Sequence, residues 1–502
     1  MKKVLTALIP IVSILCLTGC GGGTSSSQGG TSSGEDTQTS STLLPVTNTS
    51  SNREIVFWHC LGHDKTRNLN AIVEEFNNDM KEQMGNDAYY VTLESVGGDY
   101  DSLHSTVKTK LNAGYVPSIT MGYPDSFAEY IGSSGASSSR ILKLDDYIAE
   151  DENFDPDSFV QMYYEEGQGY QYEGTYSVPM YKSTEVMYYN VEMWESSQFY
   201  KDHKDETYGD YGAVLGDPST WDWDTLTYVA SQIQQENSGT ADFHALGYDS
   251  DSNLFITQMA QRGIPYTTAD ISATGETADH FLFYDYNNET PVDGMYDLVN
   301  EIYQLTQSGA MVTQGSYGSY ASTLFLQKKV MFTIGSTGGS AYNEPNGSFT
   351  AGLAPVPCYH NNKKYIMQGP SLCFFNMSDP YLQHYAWKFY SEYLSEAQSN
   401  AELALENSYD PVRTSSYETD SYKEWCSLGL TEDGEDDTSA ELQYRIPNLT
   451  STLKDNYMTS DVFIGSSTAR DEIGNIISYC QSYNGNVDRA IYQAWYNCVL
   501  AS

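Results

Sequence analysis

A glycine-rich turn is the part of the sequence with the clearest potential for chemistry. Residues 334–339 read IGSTGG after an apolar run, so Ser336 stands at the end of a predicted strand, where a helix begins. Backbone N–H groups at such a turn form a ready anion site. No Gly-Lys-Ser/Thr follows, which excludes a nucleotide P-loop. The alternative is that Ser336 only shapes the turn.

Other reactive side chains give weaker indications. Six cysteines follow Arg53 without a Cys-x-x-Cys pair or a histidine cluster, so we predict neither a metal nor a cofactor. The sequence allows two alternatives for these cysteines: one or two disulfides, for example Cys480 with Cys498, or buried free thiols. No nucleophile elbow is present, although 67 carboxylates leave room for a glycosidase-type acid pair. The 43 tyrosines suit contacts to sugars and polyols, and also half-exposed core positions.

The first twenty residues end at a cysteine that follows an apolar run. Lys2 and Lys3 precede this run, Val4–Leu17, which is shorter than the roughly 20 residues of a membrane-spanning helix. This order is typical of an export signal. Residues 17–20 read LTGC and resemble the bacterial lipobox, which implies cleavage before Cys20 and lipid on that residue. The alternative is an ordinary secretory signal in which Cys20 stands there by chance.

The residues after Cys20 are rich in Gly, Ser and Thr, which cannot bury enough apolar surface to offset the entropy of ordering them. We therefore predict a signal peptide over residues 1–19 and a lipidated, flexible tether over residues 20–52. The folded body then begins near Arg53, on the extracellular face of the cell membrane.

Composition limits the partners of this body. The net charge of −42 repels phosphate backbones, so nucleic acid is excluded as a partner. The roughly 450 remaining residues are enough for two or three domains. No second stretch is apolar over 18 residues, so we predict no further membrane span.

The apolar periodicity indicates an α/β organisation. Strands are predicted at residues 54–59, 89–96 and 118–123, separated by two amphipathic helices, which is typical of a parallel sheet with covering helices. Ligands of such sheets bind beyond the carboxyl ends of the strands. A mostly helical middle and a return to strands then indicate two lobes crossed more than once by the chain, with a cleft between them. The further helices are predicted at residues 220–235, 254–261, 295–307, 380–394, 468–483 and 487–500.

Three segments carry a resemblance to a known family. They are FWHCLG with GGDYDSL, YSVPMYKSTEVMYYNVEMW with GDPSTWDWDTL, and GPSLCFF with ENSYDPVRTS. Together they resemble the family 1 extracellular solute-binding proteins of ABC importers, and among these the glycerol-3-phosphate-binding type. The similarity runs from Ile55 to about Ala494. It implies the type II periplasmic-binding-protein-like fold, in which two lobes are joined by a hinge and close on the ligand.

The resemblance also implies which residues contact the ligand. Tyr100 matches a tyrosine that contacts the glycerol part, and Ser183 matches the first serine-threonine contact. Trp221 matches a tryptophan that packs on the carbon face of the ligand. Four positions match the surroundings of the phosphate, namely Ser336, Gly369, Tyr409 and Arg470. The residues alone leave alternatives open. Arg413 is a second candidate for the cation that binds the phosphate. Trp221 is as readily a core residue, and Arg470 is as readily a surface residue.

One position departs from the family pattern. The glycerol phosphate binders carry a glutamate after the third strand, and here that position falls on Pro124. Asp125 is one residue away and is a candidate substitute. The phosphate end is thus matched better than the glycerol end, and the ligand stays open between a phosphorylated polyol, a phosphodiester and a sugar.

These observations lead to one main prediction. The protein is a non-enzymatic, monomeric, lipid-anchored solute-binding protein that delivers a small carbohydrate-type ligand to ABC permease subunits. We predict an N-terminal lobe of residues 53–187 and 355–412 and a C-terminal lobe of residues 188–354 and 413–502. The alternatives are a surface glycoside hydrolase and a polysaccharide-binding adhesion module.

Overall fold

The computed structural model describes residues 50–132 and 140–501, and these belong to one unit of the chain, residues 43–502. The predicted signal peptide, Cys20 and nearly all of the predicted tether lie outside the described residues. Within the described part, none of the helices is both long and apolar enough to cross a bilayer.

Most of the short strands lie in two mixed sheets. The strands are β1 (Glu54–His59), β2 (Tyr90–Ser95), β3 (Ile119–Gly122), β4 (Val178–Pro179), β5 (Glu185–Asn190), β6 (Thr207–Tyr208), β7 (Ala213–Val214), β8 (His244–Tyr248), β9 (Tyr284–Asp285), β10 (Thr290–Pro291), β11 (Met311–Thr313), β12 (Val330–Ser336), β13 (Ala351–Pro355), β14 (Tyr365–Ile366), β15 (Ser371–Phe374) and β16 (Tyr457–Met458).

Helices cover both sheets. They are α1 (Arg67–Met84), α2 (Tyr100–Asn112), α3 (Pro124–Ile131), α4 (Asp145–Glu150), α5 (Gln161–Glu165), α6 (Val191–Ser196), α7 (Gln198–His203), α8 (Trp223–Glu236), α9 (Asp251–Arg262), α10 (Met295–Gln307), α11 (Gln314–Tyr317), α12 (Ala321–Leu326), α13 (Pro380–Lys388), α14 (Ala397–Glu406), α15 (Asp420–Ser427), α16 (Leu442–Thr450), α17 (Ser466–Gly474), α18 (Ile476–Ser482) and α19 (Val487–Ala501).

The first sheet contains the three strands that the N-terminal periodicity predicts. Its order among the described strands is β2-β1-β3-β15-β4, with β1 parallel to β2 and β3, and β15 antiparallel to β3 and β4. α1 covers the sheet because its apolar residues recur at helical spacing and form one buried stripe. The members of this stripe are Leu69, Ile72, Val73, Phe76 and Met80.

The second sheet corrects the prediction of a mostly helical middle. Its order among the described strands is β11-β8-β12-β5-β13, and the middle of the chain supplies β8 and β11. β8 pairs parallel with both β11 and β12. Its sequence, HALGY, is short and contains Gly247, where a Cβ would lie 2.5 Å from the Cβ of Ala321 on α12. The glycine weakens the strand signal in the sequence but lets the helix pack close to the sheet.

Two segments of the chain cross between the sheets. Residues 180–184 connect β4 to β5, and residues 356–370 connect β13 to β15. The two segments pair with one another through a bridge between Ser183 and Gln368, and Lys182 pairs with Asp410 in the same way. The segments therefore lie side by side, as expected of a hinge between two lobes.

One predicted helix is divided in the structure. Residues 468–483 form α17 and α18, which meet at Asn475. Gly474 ends α17 close to α9, where a Cβ would lie 3.1 Å from the backbone nitrogen of Ser252. This glycine lets α17 approach the start of α9, which places Arg470 near the carboxyl end of β8.

Candidate functional site

A cleft lies at the carboxyl ends of the central strands of both sheets. Three adjoining cavities of about 170, 900 and 540 Å³ share Ser250, which follows β8. Tyr123 follows β3 in the first sheet and lines two of these cavities, while Ser336 ends β12 in the second sheet. This is the position at which α/β sheets bind ligands, and the two larger volumes match those of small-molecule sites.

Two predicted site residues, Ser183 and Gly369, belong to the crossing segments, and Ser183 lies beside Ser336, which lines the largest of the three cavities. The hydroxyl oxygens of Ser183 and Ser336 lie 3.5 Å apart. Gly369 has a φ of +107°, and a Cβ there would meet the carbonyl oxygen of Tyr181 at 2.7 Å and the ring of Tyr409 at 3.2 Å. The structure thus groups Ser183, Ser336, Gly369 and Tyr409, which are distant in sequence. Of these four, Ser336 is the one found among the described residues that line the three cavities.

Two pairs of tyrosines lie beside the cleft. The rings of Tyr100 and Tyr123 lie 4.6 Å apart, and those of Tyr181 and Tyr409 lie 4.5 Å apart. Burial raises the pKa of Tyr409 to about 12, although its hydrogen bond with Tyr100 acts in the opposite direction and lowers the pKa. The Tyr181 hydroxyl is buried without a hydrogen-bond partner among the described residues. Of these four tyrosines, Tyr100 and Tyr123 line the cleft, where they offer apolar faces and hydroxyl groups to a ligand.

The glycine-rich turn after Ser336 has a packing role in the structure. It opens a six-residue 3₁₀-helix, Thr337–Tyr342, rather than an α-helix. A Cβ on Gly338 would lie 2.5 Å from the ring of Tyr409. The glycine is therefore required for the close approach of this ring.

Arg470 lies at the centre of a polar network that joins the two lobes. It belongs to α17, which packs against α9 and, more lightly, against α3 of the first lobe. Its Nη1 donates to Asn253 Oδ1 at 3.0 Å, and its Nε donates to Asp125 Oδ2 at 3.3 Å. The Nδ2 of Asn253 donates in turn to Glu185 Oε1 at 2.9 Å, and Tyr248 donates to the other oxygen of Glu185.

The cleft is strongly acidic. Arg470 is the one cationic residue among the described residues that line the three cavities. The lining carboxylates are Asp99, Asp101, Asp125, Glu166, Glu185, Asp249, Asp251, Asp461 and Asp471.

Several of these carboxyl groups hold their protons more tightly than usual. Burial raises the pKa of Glu185 to about 7, although hydrogen bonds from Tyr248 and Asn253 favour its charged form. Burial and the negative charges of Asp101 and Asp125 raise the pKa of Asp471 to about 6. A cleft with these properties accepts hydrogen bonds from a ligand more readily than it attracts an anion.

A buried ion pair lies next to the cleft. Lys182 is fully buried, and its Nζ donates to Glu166, to Gly369 O at 3.2 Å and to Ser371 Oγ at 3.0 Å. Glu166 lines the smallest of the three cavities. The charge of Lys182 is therefore compensated within the crossing region.

Two candidate residues lie elsewhere. Trp221 is 4% exposed, donates from Nε1 to Val214 O at 3.0 Å and packs against Trp194 and Phe332, in the core of the second lobe. Arg413 lies over the ring of Phe159 and donates to serine hydroxyls in the first lobe. Neither belongs to the described residues that line the three cavities.

Sequence reasoning missed three residues of the site. Asn253 and Glu185 form the network around Arg470, and Gln368 lines two of the cavities. The side-chain nitrogen of Gln368 is buried without a hydrogen-bond partner among the described residues. It can therefore donate a hydrogen bond to a ligand oxygen. Gln368 directly precedes the predicted Gly369, and this position next to a candidate residue is the one indication of its role in the sequence.

The structure decides between the disulfides and the free thiols that the sequence allows. None of the six cysteines after Arg53, including Cys480 and Cys498, is in a disulfide. Across residues 50–132 and 140–501, no three His, Cys, Asp or Glu side chains are placed to hold a metal ion.

Comparison with known proteins establishes the family. Residues 71–428, well over half of the chain, match the family model described as bacterial extracellular solute-binding protein. The chain belongs to this family. The curated protein sequences contain no significant match to this solute-binding protein.

Solved structures confirm the predicted two-lobe fold of this solute-binding protein. UgpB from Mycobacterium tuberculosis, in complex with glycerophosphocholine, is 16% identical with a TM-score of 0.63, covering 89% of this chain and 98% of its own. The acarbose receptor GacH of Streptomyces glaucescens is 17% identical with a TM-score of 0.60 and the same coverage. Maltose-bound MalE3 of T. maritima is 14% identical with a TM-score of 0.62, covering 89% of this chain and 99% of its own.

Proposed function

We propose that this protein is the solute-binding component of an ABC importer, and that it captures a neutral, polyhydroxylated ligand of the sugar class. It closes its two lobes on the ligand and delivers it to membrane permease subunits without converting it. The observation that carries the proposal is the lining of the cleft, in which carboxylates surround one arginine that is already paired. Carboxylate oxygens accept hydrogen bonds from ligand hydroxyls, and tyrosine rings pack on the carbon face of a sugar.

A phosphorylated polyol, the other ligand class predicted from sequence, fits this cleft less well. A phosphate monoester needs a converging ring of donors with a cation that is free to grip its oxygens. Arg470 instead donates to Asp125 and Asn253, and Asp471 follows it in sequence. A two-point contact of a phosphate through Arg470 Nε would therefore displace Asp125, in a cleft of like charge to the ligand.

The ligands of the structural neighbours support the sugar class. GacH holds acarbose and MalE3 holds maltose, which are both polyhydroxylated, and UgpB holds glycerophosphocholine. Because the identities lie below 20%, these ligands indicate the range of compounds that the fold accommodates. The residues of the cleft determine which of these compounds this protein binds.

We further propose that the chain is anchored on the extracellular face of the membrane through lipid on Cys20. The support is the order of a short apolar run, Gly19 and Cys20, followed by a tract with little apolar surface. Attached acyl chains hold a protein to a bilayer without a spanning helix. Cell fractionation tests this step: Cys20→Ala should move the protein from the membrane fraction to the soluble fraction, and retention in the membrane would contradict it.

The ligand class can be tested with the full chain in detergent. Its thermal transition is measured with maltose-type oligosaccharides, monosaccharides, glycerol-3-phosphate and glycerophosphodiesters, because a ligand that binds only the folded state raises the transition temperature. We expect shifts with neutral sugars. Shifts with phosphorylated compounds alone would overturn the sugar class, and a hydrolysis product in the same samples would favour the glycoside hydrolase alternative.

A pair of variants connects the shift to the cleft. Asn253→Ala removes the partner of Arg470 and Glu185, and it should abolish most of the ligand-dependent shift. Asn78→Ala, on the exposed face of α1, is the matched control and should keep the shift. Equal shifts in both variants would place the ligand outside this cleft.

A further inference from the structure

Asp125 occupies a position from which it can control the charge of the cleft. It is the second residue of α3, three residues after the end of β3, and its Oδ1 accepts a hydrogen bond from Ser126 N at 2.8 Å. Its Oδ2 faces Arg470 across the cleft, so the pair joins an element of the first lobe to α17. The Asp125 side chain is only 16% exposed, which limits the screening of the pair by solvent.

The geometry of Arg470 shows what this pairing achieves. Its Nε faces Asp125 and its Nη1 faces the amide oxygen of Asn253, so two edges of the guanidinium are occupied. A phosphate or sulfate group would have to replace Asp125 to form a two-point contact with Nε and the terminal nitrogen on the same side. The carboxylate and the anion would then lie together in a partly buried cleft, which strongly disfavours the complex.

Neighbouring groups cannot take over the role of a free cation. Lys182, a buried lysine of the crossing segments, is bound to Glu166. Among the described lining residues, the other charged groups are carboxylates, so neutralising Arg470 leaves a cleft without free positive charge.

We propose that Asp125 is the specificity-determining residue that excludes anionic ligands from the cleft by pairing with Arg470. This rests on the proposed function, because it assumes that the cleft is the ligand site. The sequence departs from the glycerol phosphate pattern at Pro124, and the ion pair gives that departure a direct consequence for selectivity. Removing the Asp125 charge should release Arg470 for a phosphate monoester.

The test is calorimetric titration of the full chain with glycerol-3-phosphate and with inorganic phosphate, in low salt. Asp125→Asn keeps the size of the side chain and should bind glycerol-3-phosphate at least about tenfold more tightly than wild type, as expected for one added charge-assisted contact. Asp125→Ser serves the same purpose if the asparagine variant does not fold. The gain should disappear in Asp125→Asn combined with Arg470→Met.

Asp101→Asn is the matched control. Asp101 lines the same cleft and its loss removes the same unit of charge, but Arg470 keeps its partner. A general reduction of negative charge would improve phosphate binding equally in both variants, and that result would overturn the specific role of Asp125. Tight binding of glycerol-3-phosphate by wild type would overturn it as well.

The two proposals fail in different ways. If wild type binds neutral sugars and Asp125→Asn gains no phosphate binding, the proposed function stands and the role of Asp125 is wrong. If wild type binds no sugar and Asp125→Asn gains phosphate binding that requires Arg470, the selectivity mechanism stands and the sugar class is wrong.

Discussion

Replacing Glu185 by glutamine should stabilise the protein at neutral and alkaline pH. The carboxyl group is 2% exposed, and its burial raises its pKa from 4.5 to about 7. Between these two values the folded state binds a proton that the unfolded state has released, so this group lowers stability as the pH rises. A shift of this size corresponds to about 3 kcal/mol once the pH exceeds the folded pKa.

Glutamine removes the charge and keeps the shape. The hydrogen bond from Asn253 can be kept by the amide oxygen, and the Tyr248 hydroxyl can accept from the amide nitrogen instead of donating. We therefore expect Glu185→Gln to match wild type below about pH 4.5 and to exceed it by up to about 3 kcal/mol above pH 7.

Urea denaturation at pH 4, 6 and 8 measures the difference. Glu82→Gln, on the exposed face of α1, removes the same charge from the surface and is the control. If the difference between Glu185→Gln and wild type were the same at pH 4 and pH 8, folding would not raise the pKa of Glu185, which would contradict this prediction.

Three further predictions concern buried side chains. Lys182→Met should destabilise the fold by about 3–5 kcal/mol because Glu166 loses its buried cation, and adding Glu166→Leu should recover most of this in denaturation experiments. Gly338→Ala places a Cβ against the ring of Tyr409 and should weaken ligand binding while costing about 1–3 kcal/mol of stability, as calorimetry and denaturation can show. Trp221→Phe should lower stability by about 1–3 kcal/mol and leave ligand affinity unchanged, and a large loss of affinity would place Trp221 in the site after all.

The fold could be predicted largely because apolar residues recur at regular spacing in its N-terminal strands and helices. α1 has its buried residues at helical spacing, and β1 contains four apolar residues in succession, Ile55–Trp58. β8 was missed because five residues containing a glycine carry little strand signal, and its place in the sheet depends on contacts with β11 and β12. The boundaries of the two lobes remain a prediction.

The site could be predicted only in part, since its key contacts are long-range. Arg470 is 345 residues from Asp125 and 217 from Asn253, and no local pattern links these positions. The resemblance named Arg470 and Asp125 separately, but the ion pair between them emerges from the way α17 packs near α3 and α9. Trp221 carried a family motif, yet its ring is held by Trp194 and Phe332.

The cost of keeping Glu185 charged in the cleft is informative about function. A glutamine at this position would satisfy the same neighbours, so the carboxylate is not required for the stability of the network. Its charged form accepts hydrogen bonds more strongly and holds the Asn253 amide with its oxygen directed at Arg470. This orientation, together with Asp125, holds the guanidinium in place before any ligand arrives. A neutral ligand can then enter without displacing a charge, whereas an anion has to compete with Asp125 for Arg470.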